Sequence, residues 1–368
     1  MGASIAYHLA MRGKKGILLL EKENFFGLGA TGRCAGGVRY QFATEINIRL
    51  SLVSLPMLEK FEAETRQAID YRKCGYLFML TDPKDVTVFE RNVALQRRLG
   101  VMTEWMSGDE IRRRLPMMHL DDVLAGTFHA KDGLVDPNSV VMGYINAAGH
   151  LGVQMLGGIE VAGIQVESGR IRGIQTSQGF IATHQVVNAA GPWAGLVSRM
   201  AGVELPITPL RRQMLTTTPL TEIPADFPFV IDFAQSLYFH REGQGLLTGM
   251  SNPNEVPGFD QSVDPDWELV NLVAASARLP LLERAGLVAR WAGLYEVTPD
   301  AHPIFGVTPV EGLFVCSGFS GHGFMHGPAA GLLMSEIILD GRASTLDVSM
   351  LDLARFSEGR HIREYNVV

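Results

Sequence analysis

Apolar residues recur along this chain with two alternating periods. From Gly2 to Ala10 the positions Ala6, Leu9 and Ala10 fall on one helical face, and Ile17 to Leu20 form an unbroken apolar run. That is the pattern of a helix followed by a buried strand, with Arg12-Gly13-Lys14-Lys15-Gly16 as the turn between them. The helical period returns over 45–68 (Ile48, Leu52, Leu55, Leu58, Phe61), around 84–99 and 108–114, and over 139–151. Strands are predicted at 75–80, 126–129, 185–191, 236–240, 246–250 and 313–318, and 158–175 alternates like a hairpin about Gly169. A last helix is expected from Pro328 to Leu339. The alternation implies a parallel α/β unit drawn from both ends and the middle of the chain (1–68, 137–204 and 290–368). A mostly antiparallel unit is inserted twice, over 69–136 and 205–289.

The 368 residues are 46% hydrophobic and 19% charged, enough for two joined domains with a large core. A formal net charge of −7 argues against a nucleic-acid partner, which needs a basic face. No apolar run is long enough to predict a spanning helix. Cys34, Cys74 and Cys316 are far apart and form no C-x-x-C, so neither a disulfide framework nor a metal site is expected, and a cytoplasmic location follows.

Three places carry candidate chemistry. Gly2 opens the first helix, and Glu21 closes the following strand about 20 positions on, the spacing at which an acidic residue meets a ribose in a dinucleotide-binding βαβ unit. The first strand and the first two glycines of G-x-G-x-x-G are not in this sequence. A start at Met1 therefore predicts a parallel sheet without its central strand and poor cofactor retention. Glycine-rich segments at 27–37 and 318–323 also precede helices or loops, where backbone N–H groups and a helix N-terminus favour an anion. The first suits a pyrophosphate. The second has no phosphate left to bind in an ordinary NAD domain and fits the pyrimidine side of a flavin, whose reduced form carries negative charge. The plainer reading is that the glycines at 318–323 shape a turn.

Four stretches together, Gly29–Arg39 (GATGRCAGGVR), Val186–Ala194 (VVNAAGPWA), Thr298–Gly306 (TPDAHPIFG) and Gly318–Phe324 (GFSGHGF), resemble the D-amino-acid-oxidase-type family of FAD-dependent amine oxidoreductases. Within it the chain is most similar to the sarcosine oxidase β subunit and to dimethylglycine and L-proline dehydrogenases, over essentially its whole length. The resemblance implies a Rossmann-like FAD-binding parallel sheet interleaved with the antiparallel substrate domain: an α/β fold with an α+β insert. It implies that Gly2 is the last glycine of the dinucleotide motif and that Glu21, with Lys22 beside it, binds the adenosine ribose. Thr31, Arg33, Ala35, Gly36 and Gly37 would line the pyrophosphate and the flavin edge, and Val161 the adenine side. Ala189, Gly191 and Trp193 would pack beside the cofactor, and Gly318, Gly321, His322, Gly323, Phe324 and Met325 would meet the pyrimidine ring.

The departures bear on substrate and linkage. Monomeric sarcosine oxidases attach FAD through a cysteine near the position of Gly293, so non-covalent FAD is expected here. Those enzymes also place a substrate-carboxylate lysine where this chain has Met325, so recognition is expected from elsewhere. Candidates are Arg39, Tyr238, His240 and Tyr295. Arg39 suits a bidentate carboxylate pair, and alternation puts Tyr238 and His240 on one strand face with Arg241 on the other. Their plainer readings are a surface salt bridge for Arg39, a structural hydrogen-bonder for His240 and a half-buried core residue for Tyr295. His322 is expected to buttress the glycine turn.

The implied activity is oxidation of a secondary or tertiary amine of amino-acid type, by hydride transfer to flavin N5, with partner subunits or an acceptor protein as further expectations. A D-amino acid dehydrogenase is one alternative. Another is a catalytically weak assembly factor, since Gln41-Phe42 and Asn47–Ser51 resemble respiratory-complex assembly relatives. A plain NAD-dependent dehydrogenase is disfavoured by the second glycine-rich helix.

Overall fold

The structure, a computed structural model, describes residues 1–367. Helix Gly2–Met11 packs between helices Pro137–His150 and Gly323–Asp340 on one side of the parallel strands. Small residues permit the close approach. A Cβ on Gly331 would sit 2.0 Å from Ser4 Oγ, and one on Gly2 would sit 3.1 Å from Leu19 Cδ1 and 3.9 Å from Ala189 Cβ. Gly2 thus lies between the two pieces into which the parallel sheet is divided. One pairs Leu18–Leu20 with Gln154–Leu156, and the other pairs Val186–Asn188 with Leu313–Ser317. Ile304–Val307 adds an antiparallel edge to the second piece. Among the described residues no strand joins the two, and Leu18–Leu20, Val186 and Val187 stay half-buried. The expected hairpin forms as Val161–Glu167 and Arg170–Thr176, extended by Gly179–Ala182.

The second unit is an eight-stranded sheet. Its order is Leu287–Val297, Thr208–Thr217, Gly245–Met250, Leu237–Glu242, Phe229–Asp232, Tyr76–Leu80, Ala125–His129 and Glu104–Ser107. The two inserted segments meet where Phe229–Asp232 pairs with Tyr76–Leu80, the one parallel pairing in an otherwise antiparallel sheet. Strand alternation sorts the side chains into two layers. Leu77, Met79, Val230, Leu237 and Phe239 pack with helix Pro265–Arg278 into one core. Tyr76, Phe78, Phe229, Ile231 and Tyr238 form the opposite face, which looks toward the α/β unit. Strand Leu287–Val297 pairs along its length with Thr208–Thr217, so the boundary expected at 289/290 falls inside this strand.

Two helices depart from expectation. The stretch over 45–68 is two helices, Glu45–Glu59 and Phe61–Thr65, broken at Lys60 (φ −97°, ψ 0°). The break turns Phe61 inward over Gly143, where a Cβ would meet its ring at 2.4 Å. The last helix begins at Gly323, not Pro328, which lies inside it. Proline there removes one ladder donor. The hydroxyl of buried Ser54 bridges the next rung, donating to the Met325 carbonyl (2.6 Å) and accepting from the Ala329 N–H (3.3 Å). Among the described residues no helix is long and apolar enough to cross a membrane, and no cluster of metal-ligating side chains occurs.

Candidate active site

The two units enclose a cavity of about 840 Å³, counting its open mouth. One wall is the loop Cys34–Gly37 with Arg39. The big sheet contributes Tyr76, Phe229, Ile231 and Tyr238, and its outer strands add Arg212, Met214 and Gly293–Tyr295. Ser320–His322, Phe324 and Met325 close the end at the last helix. Glycines make the junctions possible. Gly321 is left-handed (φ +100°), and a Cβ there would enter the Tyr295 ring at 2.3 Å. A Cβ on Gly37 would coincide with the Tyr76 hydroxyl, at 1.6 Å. Arg33, Ala35, Gly36, Gly37, Arg39, Tyr238, Tyr295, Gly321, His322, Phe324 and Met325, all singled out from sequence, share this one cavity.

The other positions implied for the cofactor lie outside the cavity lining. Thr31 opens a 3-10 turn, and Gly29–Ala35 are half-buried, as are Ala189–Gly191. Glu21 accepts the Glu23 N–H (3.0 Å). The Lys22 ammonium sits 3.4 Å over the Trp193 ring, and Val161 packs in the same apolar cluster as Leu20. Helix Gly323–Asp340 has no side-chain cap at His322 and no acid in its first turn, so its amide donors are open to an anion. Half-buried residues at 29–35 and 189–191 and an uncapped helix N-terminus are compatible with FAD.

Three cations line the cavity. Arg33 is tied by Nη1 to the Ala292 carbonyl (2.9 Å) and by Nε to the Leu28 carbonyl (3.2 Å). Arg39 is buried, not on the surface. Its Nη1 and Nη2 donate to the carbonyls of Gln41 and Asn366, and the guanidinium lies 3.9 Å over Phe42. Arg212 lies 5.1 Å over the Tyr295 ring, its Nη1 donates to the Arg211 carbonyl (2.9 Å), and its buried Nε has no partner. Burial raises the phenols of Tyr76, Tyr238 and Tyr295, so all three stay protonated at neutral pH. Burial pushes His322 down to about 3. Its Nε2 donates to the Ala301 carbonyl (3.0 Å), and its Nδ1 lies 3.1 Å from that of His326, which suits the expected buttressing role. Cys34 is on the wall, with its thiol pushed up to about 12 by burial. No carboxylate is among the lining residues.

Of the four substrate candidates Arg39, Tyr238, His240 and Tyr295, His240 alone does not line the cavity. It shares a strand face with Tyr238, as alternation requires, but stands behind Phe229 (ring centroids 5.0 Å) and bonds the Arg241 carbonyl (3.0 Å). Burial pushes it down to about 4. Sequence reasoning passed over Arg212, Tyr76 and Glu296. Alternation along Thr208–Thr217 could have found Arg212. It shares a face with Met214, while Arg211 turns away to Glu255 and Asp260. Glu296, raised by burial, accepts Ser317 Oγ (2.8 Å) and the Phe319 N–H (3.2 Å), and so holds the glycine turn.

A family model described as FAD dependent oxidoreductase matches residues 1–337. Human dimethylglycine dehydrogenase, mitochondrial, is 29% identical over 97% of this chain and 43% of its own length. Human sarcosine dehydrogenase, mitochondrial, is 29% identical over 97% of this chain and 40% of its own. The chain therefore spans about two fifths of the length of these two relatives. Among solved structures, L-proline dehydrogenase from P. horikoshii is 32% identical, covers 98% of this chain and 96% of its own, and superposes with a TM-score of 0.89.

Proposed function

The chain belongs to the FAD-dependent oxidoreductase family, with FAD as its cofactor, and from that premise we propose that it oxidises a secondary or tertiary amine bearing a carboxylate, such as sarcosine, dimethylglycine or proline. The observation that carries this reading is the composition of the cavity: three guanidinium groups (Arg33, Arg39 and Arg212), three neutral phenols and no carboxylate. Bound FAD supplies the acceptor for the hydride leaving the carbon next to nitrogen. Arg39 and Arg212 bind the substrate carboxylate and take over the role a lysine at Met325 would have had. The Tyr238 and Tyr295 hydroxyls orient the amine as neutral hydrogen-bonding groups. No lining group titrates near neutrality, since His322 is held neutral and the phenols protonated. The amine must therefore lose its proton to water, and kcat/KM is expected to rise with pH until the substrate nitrogen is deprotonated.

The FAD is non-covalent in this reading. Gly293 stands at the expected attachment position, and Cys34 remains a thiol at neutral pH. Anaerobic mixing of holoprotein with sarcosine, dimethylglycine, proline and D-amino acids tests the proposal: flavin bleaching is expected with at least one of the first three. Bleaching by D-amino acids alone would replace it with the D-amino acid reading. Absence of both bleaching and turnover with an artificial acceptor would support a non-catalytic subunit or assembly role.

A further inference from the structure

The last described residues run back to the cavity. Over 361–367 exposure alternates: His361, Arg363 and Tyr365 face out, while Glu364 and Asn366 are buried, at 4% and 0% exposure. The Glu364 carboxylate accepts from the Ala43 N–H (2.8 Å), the Thr44 N–H (3.1 Å) and hydroxyl (2.8 Å), Asn47 Nδ2 (3.0 Å) and the Asn366 N–H (2.9 Å). Its own N–H donates to the carbonyl of Asp300 (3.1 Å), whose carboxylate grips Arg355. Satisfying a buried carboxylate with five donors fixes the backbone on either side of it. Two residues later, the Asn366 carbonyl accepts from Arg39 Nη2, and Asn366 Oδ1 accepts from Asn92 Nδ2 (3.1 Å). Val367 then lines the cavity itself.

We infer that Glu364–Val367 is a wall of the substrate site, in which Glu364 is the anchor, Asn366 positions Arg39 and Val367 limits the size of the substrate. The inference rests on the amine-oxidation reading above, and it assigns part of substrate selection to residues outside the glycine motifs and outside the big sheet. Arg39 has Gln41 as one carbonyl partner within its own loop; the second, Asn366, comes from 327 residues away. Releasing Asn366 therefore removes one of the two carbonyls that hold the guanidinium and leaves the Gln41 carbonyl in place. Val367 offers an apolar branched surface in the cavity that Arg39 and Arg212 also line, and a pocket wall of that kind discriminates substrates by about 10–200-fold per methylene.

Holoprotein variants Val367→Ala, Val367→Trp and Glu364→Ala test this, with Glu364→Gln as the conservative control. Two readouts are taken: kcat/KM for sarcosine, proline and N-benzylglycine, and binding of acetate and benzoate followed by perturbation of the flavin absorption bands. Val367→Ala is expected to shift both preferences toward the larger member by about tenfold, and Val367→Trp to shift them the other way. Glu364→Ala is expected to raise KM and the acetate Kd by about tenfold with kcat and FAD content near wild type, and Glu364→Gln to recover part of that loss. Unchanged size ratios in both Val367 variants, with a wild type that bleaches and binds, would overturn the wall alone. A Glu364→Ala variant that loses FAD and stability while keeping the acetate Kd would reduce the segment to a structural strap. A wild type that neither bleaches with any amine nor binds either carboxylate would overturn the amine reading and the wall with it.

Discussion

At the scale of single residues, the chemistry of the cavity depends on which polar groups are paired and which are left open. Arg212 has a buried Nε without a partner, so Arg212→Met should raise KM for a carboxylate-bearing amine by tenfold or more, the loss of one charge-assisted interaction of about 1.5–3 kcal/mol. Steady-state kinetics on sarcosine or proline would measure it, and Arg212→Lys should recover only part because the planar fork is lost. His240 carries a different expectation. Burial lowers it to about 4, so between about pH 6.5 and 4 the unfolded chain binds a proton that the folded chain refuses. Stability is then present above the unfolded value and falls as pH drops through this window, by about 1.4 kcal/mol per pH unit for one such histidine. Thermal unfolding from pH 7 to 4.5 should show this loss, and His240→Gln should flatten it. Arg39 and His240 also mark how far residue types could be read from sequence. A strand period places His240 beside Tyr238, but whether Phe229 stands in front of it is a contact between strands, invisible to the period.

At the scale of elements, the glycine turns and the helix they open do most to build the site. The last helix continues through Pro328 because Ser54, on another helix, bridges the Met325 carbonyl and the Ala329 N–H. Ser54→Ala should leave that rung poorly paired and cost about 1–3 kcal/mol in urea unfolding. It should also weaken FAD binding, since the first turn of the same helix carries the open amide donors. The sequence placed this helix five residues late because proline usually marks a helix start. The rescuing hydroxyl lies 274 residues upstream of the proline, where no local rule would look for it. The elements read correctly, such as Gly2–Met11, Tyr76–Leu80, Leu237–Glu242 and Leu313–Ser317, are those whose apolar pattern and turn residues lie within a dozen positions of one another.

At the scale of the whole molecule, the site belongs to neither unit alone. The α/β unit supplies the loop Cys34–Gly37 with Arg39 and the helix N-terminus, and the antiparallel unit supplies the tyrosines and Arg212. FAD bridging the two should therefore stabilise the pair together, by about 2.7 kcal/mol at a free concentration of 100 Kd. A rising Tm with added FAD would show this, and flavin released into the supernatant on acid precipitation would show that the link is non-covalent. The period of apolar positions by itself determined the alternation of a parallel and an antiparallel unit. The glycine-rich segments by themselves marked part of the cavity wall, Ala35–Gly37 and Gly321, because close backbone approach needs glycine at fixed local offsets. Tertiary structure alone decided which strand face lines the cavity, that Arg212 and Tyr76 join it while His240 does not, and that Asn366 reaches Arg39. The reason is physical. These outcomes depend on the pairing of Phe229–Asp232 with Tyr76–Leu80 and on a buried carboxylate capturing the loop at 43–47. Such contacts between distant segments are selected by the burial free energy of the assembled chain, and no local pattern encodes them.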